Sequence, residues 1–233
     1  MIQATPPAYH AHPWTNAAPR NYCMGDSLLY GYPIDPRVNN YCRLSSLANH
    51  QTYVDYSLTG LEAYDLLGLA VPHLDAKYDE INTFITDVGT NEVLHTLDGT
   101  PGYLWNIQKP GESHDWAERE AVYDTFLRHI IEYHSPKRVL LVDLYDWGNL
   151  FAPGLHQDET SGLVWAWNDF VHDEAGRLQN DPRYVGLQVA VVDLDSPASR
   201  AALAVPDLHY KDGLHFTPAG YAVIASIVKG YER

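Results

Sequence analysis

Cysteine is scarce in this chain: Cys23 and Cys42 are the only two in 233 residues. Two are too few for the disulfide framework of a small secreted scaffold, and they lack the C-x-x-C spacing of zinc and redox sites. Two buried free thiols are expected. Positive charge is also short, with 15 Lys and Arg against 30 Asp and Glu, a formal −15. Such a surface repels phosphate backbones and anionic lipid, which argues against a nucleic-acid partner. No apolar run approaches the roughly 18 residues that would span a bilayer. The longest, residues 66–71 and 139–142, have the size of core elements, so no membrane span is expected. Residues 1–20 lack a basic stretch followed by an apolar segment, so no signal peptide is read there and a cytoplasmic location is expected.

What the sequence does hold is enough apolar material, 45% of its residues, to bury one sizeable core. Pro6, Pro7, Pro13 and Pro19 keep residues 1–20 out of helices and central strands, so that stretch reads as an N-terminal arm on a single domain of residues 21–233. Along that domain, short β-rich runs at 21–24, 51–56, 80–87, 137–143 and 185–194 alternate with helical stretches at 37–49, 61–69, 115–133, 159–179 and 218–229. The helix at 115–133 carries Val122, Phe126 and Ile130 on one row and Tyr123, Leu127 and Ile131 on the next. Ser113 precedes it and Pro136 follows it. Strand and helix in alternation predict an α/β class with a parallel sheet covered on both faces. Residues 96–116, rich in Gly, Pro and aromatics, read as one long loop over the sheet edge.

In a doubly wound parallel sheet, ligands bind at the carboxyl ends of the strands. Gly25-Asp26-Ser27-Leu28 follows the first run and Ser57-Leu58-Thr59-Gly60 the second. Gly89-Thr90-Asn91-Glu92 follows the third, and Asp212-Gly213-Leu214-His215 lies beyond the fifth. A serine hydroxyl becomes a nucleophile when a base takes its proton, and imidazole has the pKa for that task. Ser27 is the candidate nucleophile and His215 the candidate base. Asp212, three residues before His215, can accept the imidazole Nδ1 proton and leave Nε2 facing the serine. A glycine at a strand end lets a backbone N–H approach an oxyanion and an asparagine amide adds a donor; Gly60 and Asn91 suit those roles.

In composition and order these blocks resemble those of the SGNH hydrolase superfamily, the GDSL-type esterases and lipases. The first, Met24-Gly25-Asp26-Ser27-Leu28-Leu29-Tyr30-Gly31, and the last, Asp212-Gly213-Leu214-His215-Phe216-Thr217-Pro218-Ala219-Gly220, bracket almost the whole domain. The resemblance implies a three-layer α/β/α flavodoxin-like fold with a central parallel five-stranded sheet. It implies a Ser27–His215–Asp212 triad, with an oxyanion hole from the Ser27 and Gly60 N–H groups and the Asn91 amide. It also implies no cofactor and no metal. The chain departs from the family pattern at Leu29, where Ser or Thr is common, at Asp55 and Ser57, which replace Asn and Gly, and at Glu92, which replaces Asp.

The 12 histidines include His10 and His12 near the start and a crowd of Asp207, His209, Asp212 and His215 near the end, but none follows H-E-x-x-H spacing. No metal site is expected from them. Tyr103, Trp105, Trp116 and Trp147 fall in or beside stretches expected above the site, where they could stack on sugar or aryl groups. Trp165 and Trp167, with Trp116, are on the alternative reading core anchors. The expected activity is hydrolysis of small, short-chain carboxylic esters through an acyl-enzyme. The alternatives are an O-acetyl esterase acting on acylated carbohydrate, a thioesterase or lysophospholipase, and, outside enzymes, a glycan-binding module with a vestigial site. A phosphodiesterase or nuclease would need clustered carboxylates or a phosphate loop that the sequence lacks.

Overall fold

The structure, a computed structural model, describes residues 20–34, 39–75, 81–98, 116–147 and 157–232. Five strands, β1 (Arg20–Cys23), β2 (Thr52–Asp55), β3 (Thr83–Thr86), β4 (Arg138–Val142) and β5 (Gln188–Val192), form one sheet in the order β2-β1-β3-β4-β5. Every neighbouring pair is parallel. This is the predicted parallel five-stranded α/β sheet in flavodoxin-like order, with the strand order reversing between β1 and β3. β2 to β5 lie within their predicted runs, and β1 starts one residue before its own. The central strand β3 is buried at all four positions, as a sheet covered on both faces requires. The arm at residues 1–19 lies outside the described residues; Arg20 belongs to β1 and not to the arm.

Helices cover the sheet. α1 (Ser27–Tyr30) follows β1 directly, and α2 (Tyr41–Ala48) is capped by Asn40, whose side chain accepts from the Arg43 N–H. The helix expected over 61–69 is instead a run of three pieces: α3 (Ala63–Asp65), a π-helical turn (Leu66–Ala70) and α4 (Val71–Asp75). Pro72 explains the widening, since it has no N–H for the carbonyl of Gly68 and its ring crowds that carbonyl. α5 (Thr90–Asp98) and α8 (Pro197–Leu203) were not anticipated; α5 takes residues 96–98 out of the predicted loop. Trp116 opens α6 (Trp116–His134), so it too leaves that loop, and residues 99–115 lie outside the described residues, as does Ser113. The predicted stripe on α6 is the buried face: Tyr123, Phe126, Leu127, Ile130 and Ile131 have no exposure, and Val122 packs at its margin. The chain leaves α6 through Ser135, whose φ of +45° breaks the helix just before Pro136. α7 (Gln157–Gln179) and α9 (Pro218–Tyr231) match their predicted positions. α9 starts at a Thr217 cap with Pro218 in its first turn.

α9 packs on α2, α3 on α6 and α5 on α7. The core they enclose includes Trp147, Trp167, Tyr22, Phe84 and Phe126. The expectation of free thiols is overturned: Cys23 and Cys42, both fully buried, form a disulfide with Cα atoms 6.5 Å apart. Cys23 closes β1 and Cys42 sits in the first turn of α2, which folds back on β1 and β2. The contact comes from that packing, which a spacing of 19 residues does not announce.

Candidate active site

The turn after β1 is built around a glycine whose missing side chain makes room for a carboxylate of the neighbouring strand. A Cβ on Gly25 would lie 1.9 Å from Asp87 Oδ1, because Asp87, at the end of β3, reaches across to accept the Asp26 N–H at 3.1 Å. Asp26 caps α1, accepting the Leu28 N–H at 2.9 Å. Ser27 is therefore the first residue of α1, on a turn tied to the neighbouring strand. Its own N–H belongs to the first turn of a helix, where no intrahelical acceptor exists.

The last block meets it from α9's approach. His215 Nε2 lies 2.9 Å from Ser27 Oγ, and His215 Nδ1 lies 2.8 Å from Asp212 Oδ2. Asp212 Oδ1 accepts the backbone N–H groups of Leu214 and His215, both at 3.0 Å, which fixes the carboxylate to the ring it faces. Burial pushes the Asp212 pKa up, but the bonds from the His215 backbone, the His215 ring and Leu214 outweigh it and hold the group below its ordinary value. Behind this loop Gly220 sits against the Leu208 carbonyl, where a Cβ would come within 2.4 Å.

Gly60 and Asn91 are brought to the same corner. Leu58 N–H donates to the Gly25 carbonyl at 3.2 Å, and Gly60, with φ +76°, turns the chain two residues later. Asn91 Nδ2 donates to the Leu61 carbonyl at 2.9 Å and stands 3.5 Å from Asp26 Oδ2. The departures from the family pattern have local work. Asp55 accepts the Ser57 N–H at 2.8 Å and the Asn40 amide at 2.5 Å, and Glu92 reaches the Ala63 N–H at 2.8 Å. Both hold the β2 loop against its neighbours. Trp167 Nε1 donates to Val88 O and its ring fills the space above Gly89, bracing the turn that carries Asn91.

Several contributors were not singled out in the sequence. Asp26 and Asp87 are a buried carboxyl pair beneath Ser27; burial raises Asp26 to about 7, while burial and the charge of Asp26 raise Asp87 well above its ordinary value. Glu62, next to the Gly60 turn, receives His95 at 2.5 Å and the Arg119 guanidinium. Burial works to raise the Glu62 carboxyl, and the bonds and charges of His95 and Arg119 lower it overall. Tyr32 stands edge-on to the His215 ring at 4.8 Å, its backbone held by Ser27 O and by the Tyr221 hydroxyl at 2.6 Å. A carboxylate two residues before Gly89 and an aromatic just after the first block were the readable signals for Asp87 and Tyr32.

The aromatic expectation needs correction. Trp147 is buried in the core and Trp116 packs edge-on to Trp167 at 5.8 Å, so neither forms an open stacking surface; Tyr103 and Trp105 lie outside the described residues. Trp167 is a core anchor, whereas Trp165 is exposed. His209 spends its Nε2 on the Leu203 carbonyl at 2.6 Å, and His215 faces Ser27, so the crowd near the C-terminus does not converge on one point. His10 and His12 lie outside the described residues.

No protein-family model and no curated protein matches the sequence. Solved structures match in fold. An alpha/beta hydrolase enzyme from the metagenome of Lake Arreo superposes with a TM-score of 0.66 at 15% identity, over 94% of this chain and 96% of its own. An acetyl xylan esterase does so at 0.64 and 16% identity, over 91% and 98%. A member of the lipolytic protein G-D-S-L family from Veillonella parvula gives 0.63 and 15% identity, over 91% and 96%.

Proposed function

We infer that this chain, which has the fold of the SGNH hydrolases, is a serine esterase cleaving small carboxylic esters. The observation that carries the reading is the relay of His215 Nε2 2.9 Å from Ser27 Oγ with Nδ1 2.8 Å from Asp212. Ser27 Oγ attacks the ester carbonyl and its proton passes to His215 Nε2 as the new C–O bond forms. Asp212 holds the ring's other nitrogen protonated and stabilises the imidazolium. The carbonyl oxygen, now an oxyanion, is received by the Ser27 and Gly60 N–H groups and the Asn91 amide. Collapse breaks the bond to the alcohol, which leaves with the proton from His215. Water, deprotonated by His215, then attacks the acyl-Ser27, and the acid departs as Ser27 regains its proton.

Labelling with a fluorophosphonate followed by intact mass tests this directly. Wild type should gain one phosphonyl adduct and Ser27→Ala none. A folded wild type that stays unlabelled, or equal labelling of the variant, would sink the assignment and favour a binding module.

A second reading, deacetylation of carbohydrate esters, draws on Tyr32. Its ring is exposed beside His215 and fixed at both backbone ends, so it offers a preorganised face to the alcohol half of a substrate. One of the neighbours in fold is an acetyl xylan esterase. Comparing acetylated xylose oligomers with p-nitrophenyl esters of increasing chain length separates the two readings, and Tyr32→Ala should raise KM for the sugar substrate alone. The Cys23–Cys42 disulfide supports work in an oxidising compartment over the cytoplasm expected from the sequence.

A further inference from the structure

The second convergence of histidines in this fold is far from Ser27. α4 ends at Asp75 on the way to β3, and α6 ends at His134 on the way to β4, so both termini lie at the amino ends of the strands. The site discussed above occupies the carboxyl ends. There the two imidazoles of α6 turn the same ring atom onto one carboxylate. His134 Nε2 is 2.7 Å from Asp75 Oδ1, and His129 Nε2 is 3.0 Å from Oδ2 and 3.2 Å from Oδ1. The three ligand groups come within 4.8 Å of one another.

We propose that Asp75, His129 and His134 bind one divalent transition-metal ion of the zinc class, clipping α4 to α6 at the foot of the sheet. Bond lengths of about 2.0–2.2 Å to imidazole nitrogen and carboxylate oxygen place neighbouring ligand atoms of a tetrahedral set about 3.3–3.6 Å apart. The imidazole–carboxylate separations, 2.7 and 3.0 Å, are shorter than that, and the ligand atoms all lie within 4.8 Å of one another, so an ion enters by spreading the set rather than by gathering it. Two neutral imidazoles and one carboxylate are borderline donors that suit Zn²⁺ over Ca²⁺ or Mg²⁺, which prefer oxygen. Three protein ligands leave a position for water.

The set is also oriented before any ion arrives. The Tyr133 ring stacks on His129 at 4.3 Å with an interplanar angle of 11°, holding that imidazole in place. His134 is buried, while His129 and Asp75 are partly exposed, so one side is anchored and the other gives an ion a way in. A chain carrying −15 draws cations toward such an opening. A second group, Asp143, His172 and Asp193, offers a lone imidazole at 3.3 Å from Asp143, and Asp143 already receives the Leu194 N–H. It serves as the internal comparison.

The test is a titration of chelator-treated protein with ZnCl₂, read by calorimetry and thermal melting, with CoCl₂ for the visible absorption of the bound ion. Wild type should take up one equivalent and melt about 5 °C higher or more at a hundredfold excess over Kd. His129→Ala removes a partly exposed side chain from a helix that tolerates alanine. It should weaken Zn²⁺ binding about a hundredfold or more and abolish the thermal shift, while its metal-free melting stays close to wild type. Asp75→Asn keeps the side chain's size and one acceptor oxygen but removes the anionic ligand, and should lose the ion as well. His172→Ala should bind as wild type does. No saturable uptake by wild type, or uptake that survives in His129→Ala and Asp75→Asn, would overturn the proposal and leave Asp75 as a carboxylate shared by two imidazole N–H donors.

Discussion

Asn91 shows how much a single side chain depends on what surrounds it. One amide proton is spent on the Leu61 carbonyl at 2.9 Å; the other faces Asp26 only at 3.5 Å, too long for a strong bond, and is the one an oxyanion can take. Glu92 fixes the neighbouring turn and Trp167 braces it from behind, so the amide is held before substrate arrives. Asn91→Ala should lower kcat about 10²–10³-fold with KM little changed, because the lost bond strengthens only as the oxyanion forms. Steady-state kinetics on a p-nitrophenyl ester decide it; an equal rise in KM would place Asn91 in ground-state binding instead. At this scale the sequence was most informative where chemistry restricts residue type, as at Ser27, Asn91, Asp212 and His215. It was silent on the Glu62–His95–Arg119 cluster, since those partners meet only once α3, α5 and α6 pack.

Among elements, the strongest local signals survived and the weakest were lost. The period of α6 placed both ends within a residue, and the strands stood out as short β-branched and aromatic runs between helical stretches, clearest in the buried β4. α1 has four residues, too few to show a period. The α3–α4 run was misjudged because Pro72 bends a pattern that otherwise reads as one helix. α8 carries its signal only at its start, in the Ser196 cap and Pro197, with seven residues too few to show a period. The disulfide belongs to this scale, as it joins β1 to α2 four residues before Ser27. Closing a loop of this length removes unfolded-state entropy equivalent to about 3 kcal/mol. Equilibrium urea unfolding of wild type should therefore lose about 3 kcal/mol on adding reductant, while a Cys23→Ala/Cys42→Ala variant should be indifferent to it. A wild type equally stable in reductant would show that α2 is held by packing alone.

For the whole molecule, ionisation sets a direction. Burial raises Asp26 to about 7, Asp55 to about 6, and Asp143 and Glu174 to about 8, all from ordinary values of 3.8 or 4.5. Such a group is protonated in both states in strong acid, where it contributes nothing. Between the ordinary and the raised pKa the unfolded chain ionises while the folded one keeps its proton, so folding is progressively disfavoured as pH climbs from about 4 to about 8. Asp181 opposes this only in acid: hydrogen bonds from Arg183 lower it to about 2, so its stabilisation is present above 3.8 and lost below. The formal −15 adds self-repulsion at neutral pH, whereas near the sequence pI of about 5.0 it vanishes. The three contributions together place maximal stability near pH 5, with melting temperature declining through pH 8 by several degrees. Added NaCl should recover part of that decline at pH 8 by screening the surface charges, and very little of it at pH 5. Melts from pH 4 to 9 at low and high salt test this. A melting temperature that climbs to a plateau at pH 7–8 would mean that the buried carboxyls ionise without cost, through solvent or cations reaching them.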